Sequence, residues 1–84
     1  MTKVFDGSKP LEARYANYFQ VGHNAFEFLL DFGQFGEGGG TPQINLRIVT
    51  YPVYVKFLLR TLAEAVDAYE QAYGPIPESD PDHP

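Results

Sequence analysis

Three short runs of the chain have the patterning of β-strands. Residues 13–21 (ARYANYFQV) and 25–32 (AFEFLLDF) are rich in aromatic residues and broadly alternate between apolar and polar positions, and residues 44–50 (INLRIVT) do the same. Such alternation places the apolar side chains on one face of a strand. Residues 33–43 contain five glycines and one proline, which exclude an interior strand and indicate a mobile loop. The pattern predicts an antiparallel meander of three strands.

The turn between the first two strands determines which side chains lie opposite each other. Residues 22–24 (GHN) are turn formers, and a two-residue loop at positions 23 and 24 pairs Phe19 with Phe28. A pairing shifted by one residue would set Phe19 against Glu27 instead. The alternation of apolar residues therefore favours the two-residue loop.

A long amphipathic helix is predicted after the third strand. Pro52 suits the first helical turn, with Thr50 or Tyr51 as the cap. Gly74 followed by Pro75 is the expected order at a helix end. Between these limits, apolar residues recur at spacings of three and four, namely Val55, Leu58, Leu59, Leu62, Ala65, Val66, Tyr69 and Tyr73.

Together these elements predict an α+β fold. It consists of a three-stranded antiparallel β-meander followed by one C-terminal amphipathic helix packed on the sheet, in a single domain of residues 11–75. Residues 1–10 and 76–84 have no apolar periodicity, and the second of these segments is acidic and rich in proline. Both are predicted to be flexible tails.

The face of the sheet away from the helix is not cleanly polar. In the predicted register Tyr18, Leu29 and Val49 line up across the three strands, and Arg47 lies beside them. A chain of this length can bury only a modest core, and burying one large apolar side chain contributes about 1.5 to 3 kcal/mol. We therefore expect a homodimer. The alternative is that these three residues are ordinary exposed apolar residues.

The order of charges along the helix also favours self-association. Lys56 and Arg60 lie in its first half and Glu64, Asp67 and Glu70 in its second half, which is opposite to the order that the helix dipole favours. Antiparallel pairing with a second copy of the helix would explain this order, as would packing or an external partner. The alternative is a solvated face with one intrahelical ion pair worth a few tenths of a kcal/mol. The expected interface comprises Tyr18, Leu29, Arg47, Val49, Lys56, Arg60 and Glu64.

Composition narrows the classes of function. The chain has 84 residues, of which 44% are hydrophobic and 15% aromatic, as in one small folded domain. Its net charge of −5 opposes nucleic-acid binding. The absence of cysteine and the presence of only two histidines lead us to expect no cofactor or metal site. No apolar run approaches the roughly 20 residues that span a membrane and no secretory signal is readable, so a cytoplasmic location is expected.

Candidate catalytic groups are few. The glycines at 36–40 lack the Gly-Lys-Ser/Thr ending of a phosphate loop. Glu27 and Asp31 would lie roughly 13 Å apart along a strand, too far for a glycosidase pair, and their more ordinary role is to keep that face soluble or to pair with Arg47. His23 and His83 could share a metal only if the C-terminal tail folded back. We therefore expect that the chain is not an enzyme.

Several separated motifs resemble one small prokaryotic family. In order along the chain they are YANY at 15–18, FEFLLDF at 26–32, RIVTYP at 47–52, KFLLRTL at 56–62 and YEQAYGPI at 69–76. Over residues 13–76 the chain is similar to the domain-of-unknown-function family 3467. Members often carry a His-Ala-Lys stretch at the helix start, where only Lys56 matches here. The resemblance implies no catalytic residue.

Two functions are consistent with these features. The first is a non-catalytic protein-binding or adaptor module that self-associates as a homodimer. The second is a holding-type chaperone surface that binds extended or unfolded segments of other proteins, because sheet edges and apolar patches can take up such segments.

Overall fold

A computed structural model describes residues 11–79. The elements are β1 (Tyr18–His23), β2 (Phe28–Gln34), a short 3₁₀ turn (Glu37–Gly39), β3 (Gln43–Thr50) and α1 (Pro52–Tyr73). The strands form one antiparallel sheet in the order β1-β2-β3. The α+β class and the meander followed by a C-terminal helix are thus confirmed. The predicted tails at 1–10 and, beyond residue 79, at 80–84 lie outside the described residues.

The turn between β1 and β2 is longer than predicted. The side-chain Oδ1 of Asn24 accepts hydrogen bonds from the backbone N–H groups of Phe26 (2.8 Å) and Glu27 (3.0 Å). The Asn24 N–H donates to the Glu27 carbonyl oxygen (3.1 Å) and closes a four-residue turn. Phe19 therefore lies opposite Phe32, four residues further along β2 than predicted. The two-residue loop is wrong, but an even shift leaves the face of every side chain unchanged.

β2 continues two residues into the stretch predicted to be a loop. It ends at Gln34, and Gly33 is buried within it. A β-bulge at this point pairs Gly33 with Ile44 of β3. The bulge brings the backbone of Gln43 so close that a Cβ on residue 33 would lie 2.0 Å from its carbonyl oxygen. Glycine is required here by close approach of the neighbouring strand.

α1 begins and ends where the sequence indicates. Tyr51 caps the helix in an extended conformation, and Pro52 is the first helical residue. At the other end Gly74 has a φ of 96°, and its N–H donates to the Glu70 carbonyl oxygen at 2.9 Å. A positive φ favours glycine because a Cβ would be strained there. Both predicted helix limits are confirmed.

One face of the sheet is apolar except at its ends, where His23 and Thr50 lie on either side of Phe28, and α1 does not cover this face. This apolar face comprises Phe19, Val21, Phe28, Leu30, Phe32, Leu46 and Ile48. No hydrophobic side chain among residues 11–79 is buried, and α1 makes no extensive contact with any strand. The prediction that α1 packs on its own sheet therefore needs correction. Tyr51 alone connects β3 to α1, whereas two to six residues usually turn a helix back onto a sheet.

Candidate functional site

A polar network crosses the face of the sheet opposite the apolar face. It consists of Gln20, Asp31 and Arg47, which lie side by side on the three strands. Arg47 donates from Nε to Asp31 Oδ1 (2.7 Å) and from Nη2 to Asp31 Oδ2 (2.9 Å). Gln20 Nε2 adds a hydrogen bond to Oδ2 (3.2 Å). The sequence-based pairing of Asp31 with Arg47 is confirmed.

The interactions within this network stabilise the ionised forms of both Asp31 and Arg47. The hydrogen bond from Arg47 lowers the pKa of Asp31 and outweighs the desolvation that opposes it; the Arg47 charge and Gln20 also lower it. The same hydrogen bond raises the pKa of Arg47. Asp31 is 3% exposed, whereas the Arg47 side chain is 57% exposed. The network therefore holds a guanidinium in one orientation at the surface and is poorly suited to proton transfer.

The predicted alignment of Tyr18, Leu29 and Val49 does not form. Leu29 pairs with Val49, as predicted, but its neighbour on β1 is Gly22. Tyr18 lies four residues away along β1, beyond the polar network, where its ring contacts that of Phe35 at a centroid distance of 5.3 Å. The alignment is wrong because the hairpin register differs by four residues. Membership of these residues in an interface stays a prediction.

The apolar face is the larger candidate surface. Phe19 and Val21 on its β1 side are 61% and 60% exposed. The rings of Phe19 and Phe32, which are paired across β1 and β2, meet edge to face at a centroid distance of 5.8 Å. The alternation of apolar residues predicts this face, and the predicted helix was expected to cover it. Their alternation identified the face; only the structure shows that it is uncovered.

α1 presents a second exposed apolar surface, the helix stripe. It is formed by the residues at spacings of three and four, among which Leu59, Leu62 and Tyr73 are 65%, 54% and 77% exposed. The charged residues of the expected interface, Lys56, Arg60 and Glu64, are also exposed on α1. The Arg60 guanidinium lies 5.5 Å from the centroid of the Phe57 ring. Within one chain these residues are not brought together with Arg47 or Leu29.

The remaining features of the described residues offer few groups for catalysis or metal binding. An open cavity of about 310 Å³ beside the bulge is lined by Gln34, Phe35, Gly36, Thr41, Gln43, Ile44 and Asn45, none of which titrates near neutral pH. Among residues 11–79 there is no group of three His, Asp or Glu side chains that could hold a metal ion. Within the same range, no helix is both long and apolar enough to cross a membrane.

Most of the chain matches a known protein family. A family model described as a protein of unknown function (DUF3467) matches residues 2–78. No curated protein matches the chain. No solved structure matches it either.

Proposed function

The chain belongs to the DUF3467 family, and we propose that it is a non-catalytic protein-binding or adaptor module that acts as a homodimer. One observation carries this proposal: among residues 11–79 no hydrophobic side chain is buried, whereas twenty large ones are exposed. Ordering a residue costs about 1 to 2 kcal/mol of conformational entropy, which burial of apolar surface normally offsets. The ordered sheet and helix therefore need a further polypeptide surface.

The exposed apolar area matches the requirement of a dimer. Four residues at the edges of the apolar face and about eight on the helix stripe and beside it are roughly half exposed. At about 100 Å² for each half-exposed large side chain, they offer on the order of 1,000 Å² per chain. A standard interface buries about 800 Å² on each partner. Self-association can thus supply the missing burial without another protein.

The adaptor role is supported by the face that carries the polar network. Arg47 is held in a fixed orientation and lies beside Leu29 and Val49, while Tyr18 lies on the other side of the network. Arginine and tyrosine are enriched at the energetic centres of protein interfaces. In a dimer formed through the apolar face, this surface points outward and is available to a different protein.

A holding-type chaperone is the second candidate. The observation that favours it is the same exposed apolar face, whose outer strands, β1 and β3, are the edge strands of the sheet. Edge strands and apolar patches can bind extended segments of other proteins. Either role is proposed for a cytoplasmic protein without a nucleic-acid partner, in keeping with the net charge of −5.

Sedimentation equilibrium combined with binding of a hydrophobic dye tests these proposals. A homodimeric module should show twice the chain mass of 9.4 kDa at micromolar concentration and bind little dye. A chaperone surface should bind the dye strongly and suppress aggregation of a heat-labile test protein. A folded monomer that binds no dye would contradict both proposals.

A further inference from the structure

We propose that α1 of each chain covers the apolar face of a second copy, so that the two helices are exchanged in the homodimer. The inference rests on the self-association proposed above and specifies which surfaces meet. It accounts for both uncovered surfaces at once, because the helix stripe and the apolar face become each other's cover. A layer of helix on sheet is the usual way in which such elements bury their apolar sides.

The dimensions of the two surfaces agree. Three strands spaced about 4.8 Å apart span about 10 Å, which is close to the diameter of one α-helix. α1 has 22 residues and is therefore about 33 Å long, whereas the eight residues of β3 extend about 26 Å. One helix is enough to cover the sheet along its whole length.

The junction between β3 and α1 explains why the covering helix comes from another chain. Thr50 ends β3 opposite Phe28, at one end of the apolar face, and Pro52 already begins α1. Tyr51, the single residue between them, is extended with φ −97° and ψ 157°. The extended backbone thus continues up to the first residue of the helix, with no loop that would return α1 to its own sheet. A short connection of this kind favours exchange of an element between copies.

Charge complementarity favours a second copy over an unrelated segment. In the proposed dimer the two α1 helices pack antiparallel, with the two-fold axis perpendicular to them, so that Lys56 and Arg60 of one copy approach Glu64 and Asp67 of the other. An order of charges that the helix dipole disfavours within one chain is then favourable between two chains. The same residue pairs recur twice in such an interface.

Crosslinking between different copies tests the exchange directly. The chain contains no cysteine, so introduced thiols are the only ones. We would refold together one copy carrying Val21→Cys on the apolar face and a second, mass-tagged copy carrying Leu58→Cys, Leu62→Cys or Val66→Cys. A short bismaleimide should then give a covalent species containing one copy of each kind.

Val49→Cys is the matched control for Val21→Cys. The two valines are similarly exposed, at 56% and 60%, but they lie on opposite faces of the sheet. The Val49→Cys copy should crosslink to the helix variants at least tenfold less than the Val21→Cys copy. A dimer in sedimentation that gives no Val21 crosslink with any helix variant would overturn the exchange and leave self-association standing. A monomer in sedimentation would contradict both.

Lengthening the junction provides a second, independent test. Six Gly and Ser residues inserted between Thr50 and Tyr51 would let α1 return to its own sheet, where its effective concentration is in the millimolar range. We expect the Kd of the dimer to rise at least tenfold. The helix content measured by circular dichroism should stay unchanged. A dimer of unchanged affinity would contradict the exchange, since helices that pair only with each other would not respond to the insertion.

Discussion

At the scale of single residues, two glycines of the sheet have opposite environments. Gly33 is buried, and a Cβ there would lie 2.0 Å from the carbonyl oxygen and 2.8 Å from the carbonyl carbon of Gln43. Nothing lies within 4 Å of a Cβ placed on Gly22. Neither glycine has a positive φ, so the two sites differ in contact and not in backbone strain.

We therefore expect Gly33→Ala to destabilise the protein by about 1 to 3 kcal/mol, because the strands must separate to admit a methyl group. Gly22→Ala should be neutral or stabilising by up to about 1 kcal/mol, because it reduces the freedom of the unfolded chain. Urea unfolding of both variants at one fixed protein concentration measures the difference. Equal midpoints would show that β3 is not held closely against Gly33.

The Asp31–Arg47 pair predicts a pH dependence of stability. Because the Arg47 hydrogen bond lowers the pKa of Asp31 below its ordinary value of 3.8, the folded state releases this proton more readily than the unfolded chain does. The contribution to stability is complete above the unfolded pKa and is lost as the pH falls through the lower, folded pKa. We expect Arg47→Met to have a shallower decrease in Tm than the parent protein from about pH 5 to pH 2.

Lys56→Met is the control for this pH dependence. It removes one positive charge from α1, an element without extensive contact to the strand that carries Asp31. Its Tm should decrease with acid as steeply as that of the parent protein. If the Arg47 and Lys56 variants have the same slope, net charge and not the ion pair governs the acid sensitivity.

At the scale of elements, the hairpin turn depends on one side chain. Asn24 Oδ1 accepts two backbone hydrogen bonds, at 2.8 Å and 3.0 Å, and thereby fixes the four-residue turn and the register of β1 against β2. Asn24→Ala removes this acceptor and should cost about 1 kcal/mol. Asn24→Asp keeps an acceptor oxygen and should lie close to the parent protein in urea unfolding. A cost of equal size in both variants would show that the acceptor does not determine the turn.

The helix, by contrast, has little intrinsic support at its ends. Its first turn contains no acidic residue and its last turn no basic residue, so the macrodipole is not neutralised by local charges. Gly74 and Pro52 define its limits, but they do not supply the free energy that maintains 22 ordered residues. In proteins most helix stability comes from packing of the apolar side. This is the physical reason to seek a covering surface for the helix stripe.

At the scale of the whole molecule, adjacent residues of β3 distinguish the two faces of the sheet. Ile48 lies on the apolar face and is 43% exposed, whereas Val49 lies on the opposite face and is 56% exposed. In an isolated chain, lysine at either position would reach solvent at little cost. In the proposed dimer, Ile48→Lys buries a charge without a partner. The Kd of the dimer should therefore rise at least a hundredfold, which corresponds to about 2.7 kcal/mol of dimerisation free energy.

Val49→Lys should leave the dimer intact. Sedimentation over a range of concentrations measures the dimer Kd of the Val49→Lys and Ile48→Lys variants and so compares the two faces. The reverse result, with Val49→Lys monomeric and Ile48→Lys dimeric, would return the interface to the face of Leu29 and Val49. Two variants that both remain as tightly associated as the parent protein would exclude the sheet from the interface.

The terminal segments are predicted to be dispensable for folding. Within the described residues, the C-terminal segment makes one exposed hydrogen bond, from the Ile76 N–H to the Glu70 carboxylate at 2.8 Å. A chain shortened to residues 11–75 should keep its Tm within a few degrees, because segments without apolar periodicity cannot offset their own ordering entropy. Calorimetry at equal concentration tests this. A large loss of Tm would assign a packing role to one of the two removed segments, both of which overlap the family match over residues 2–78.

The sequence by itself determined the elements and their faces. Alternation of apolar and polar residues identified the three strands, and Pro52 and Gly74 marked the limits of the helix. Asp31 and Arg47 of the polar network could be paired from their places on the strands. These features are local, because a backbone preference or a period of two or 3.6 residues can be read without knowing what lies beyond the segment. The assignment of side chains to faces was correct for β1, β2 and β3 from Leu46 onward, although the hairpin register was not; the bulge pairs Ile44 with Gly33, on the face that carries Asp31.

Only the tertiary structure decided the register and what covers each element. A two-residue and a four-residue turn give the same alternation, so the pattern could not distinguish them; the hydrogen bonds of Asn24 did. The same amphipathic stripe is compatible with packing on the sheet of its own chain or on that of another. Within one chain the helix stripe and the apolar face stay uncovered, and the one-residue connection at Tyr51 is shorter than the two to six residues that usually return a helix to its sheet.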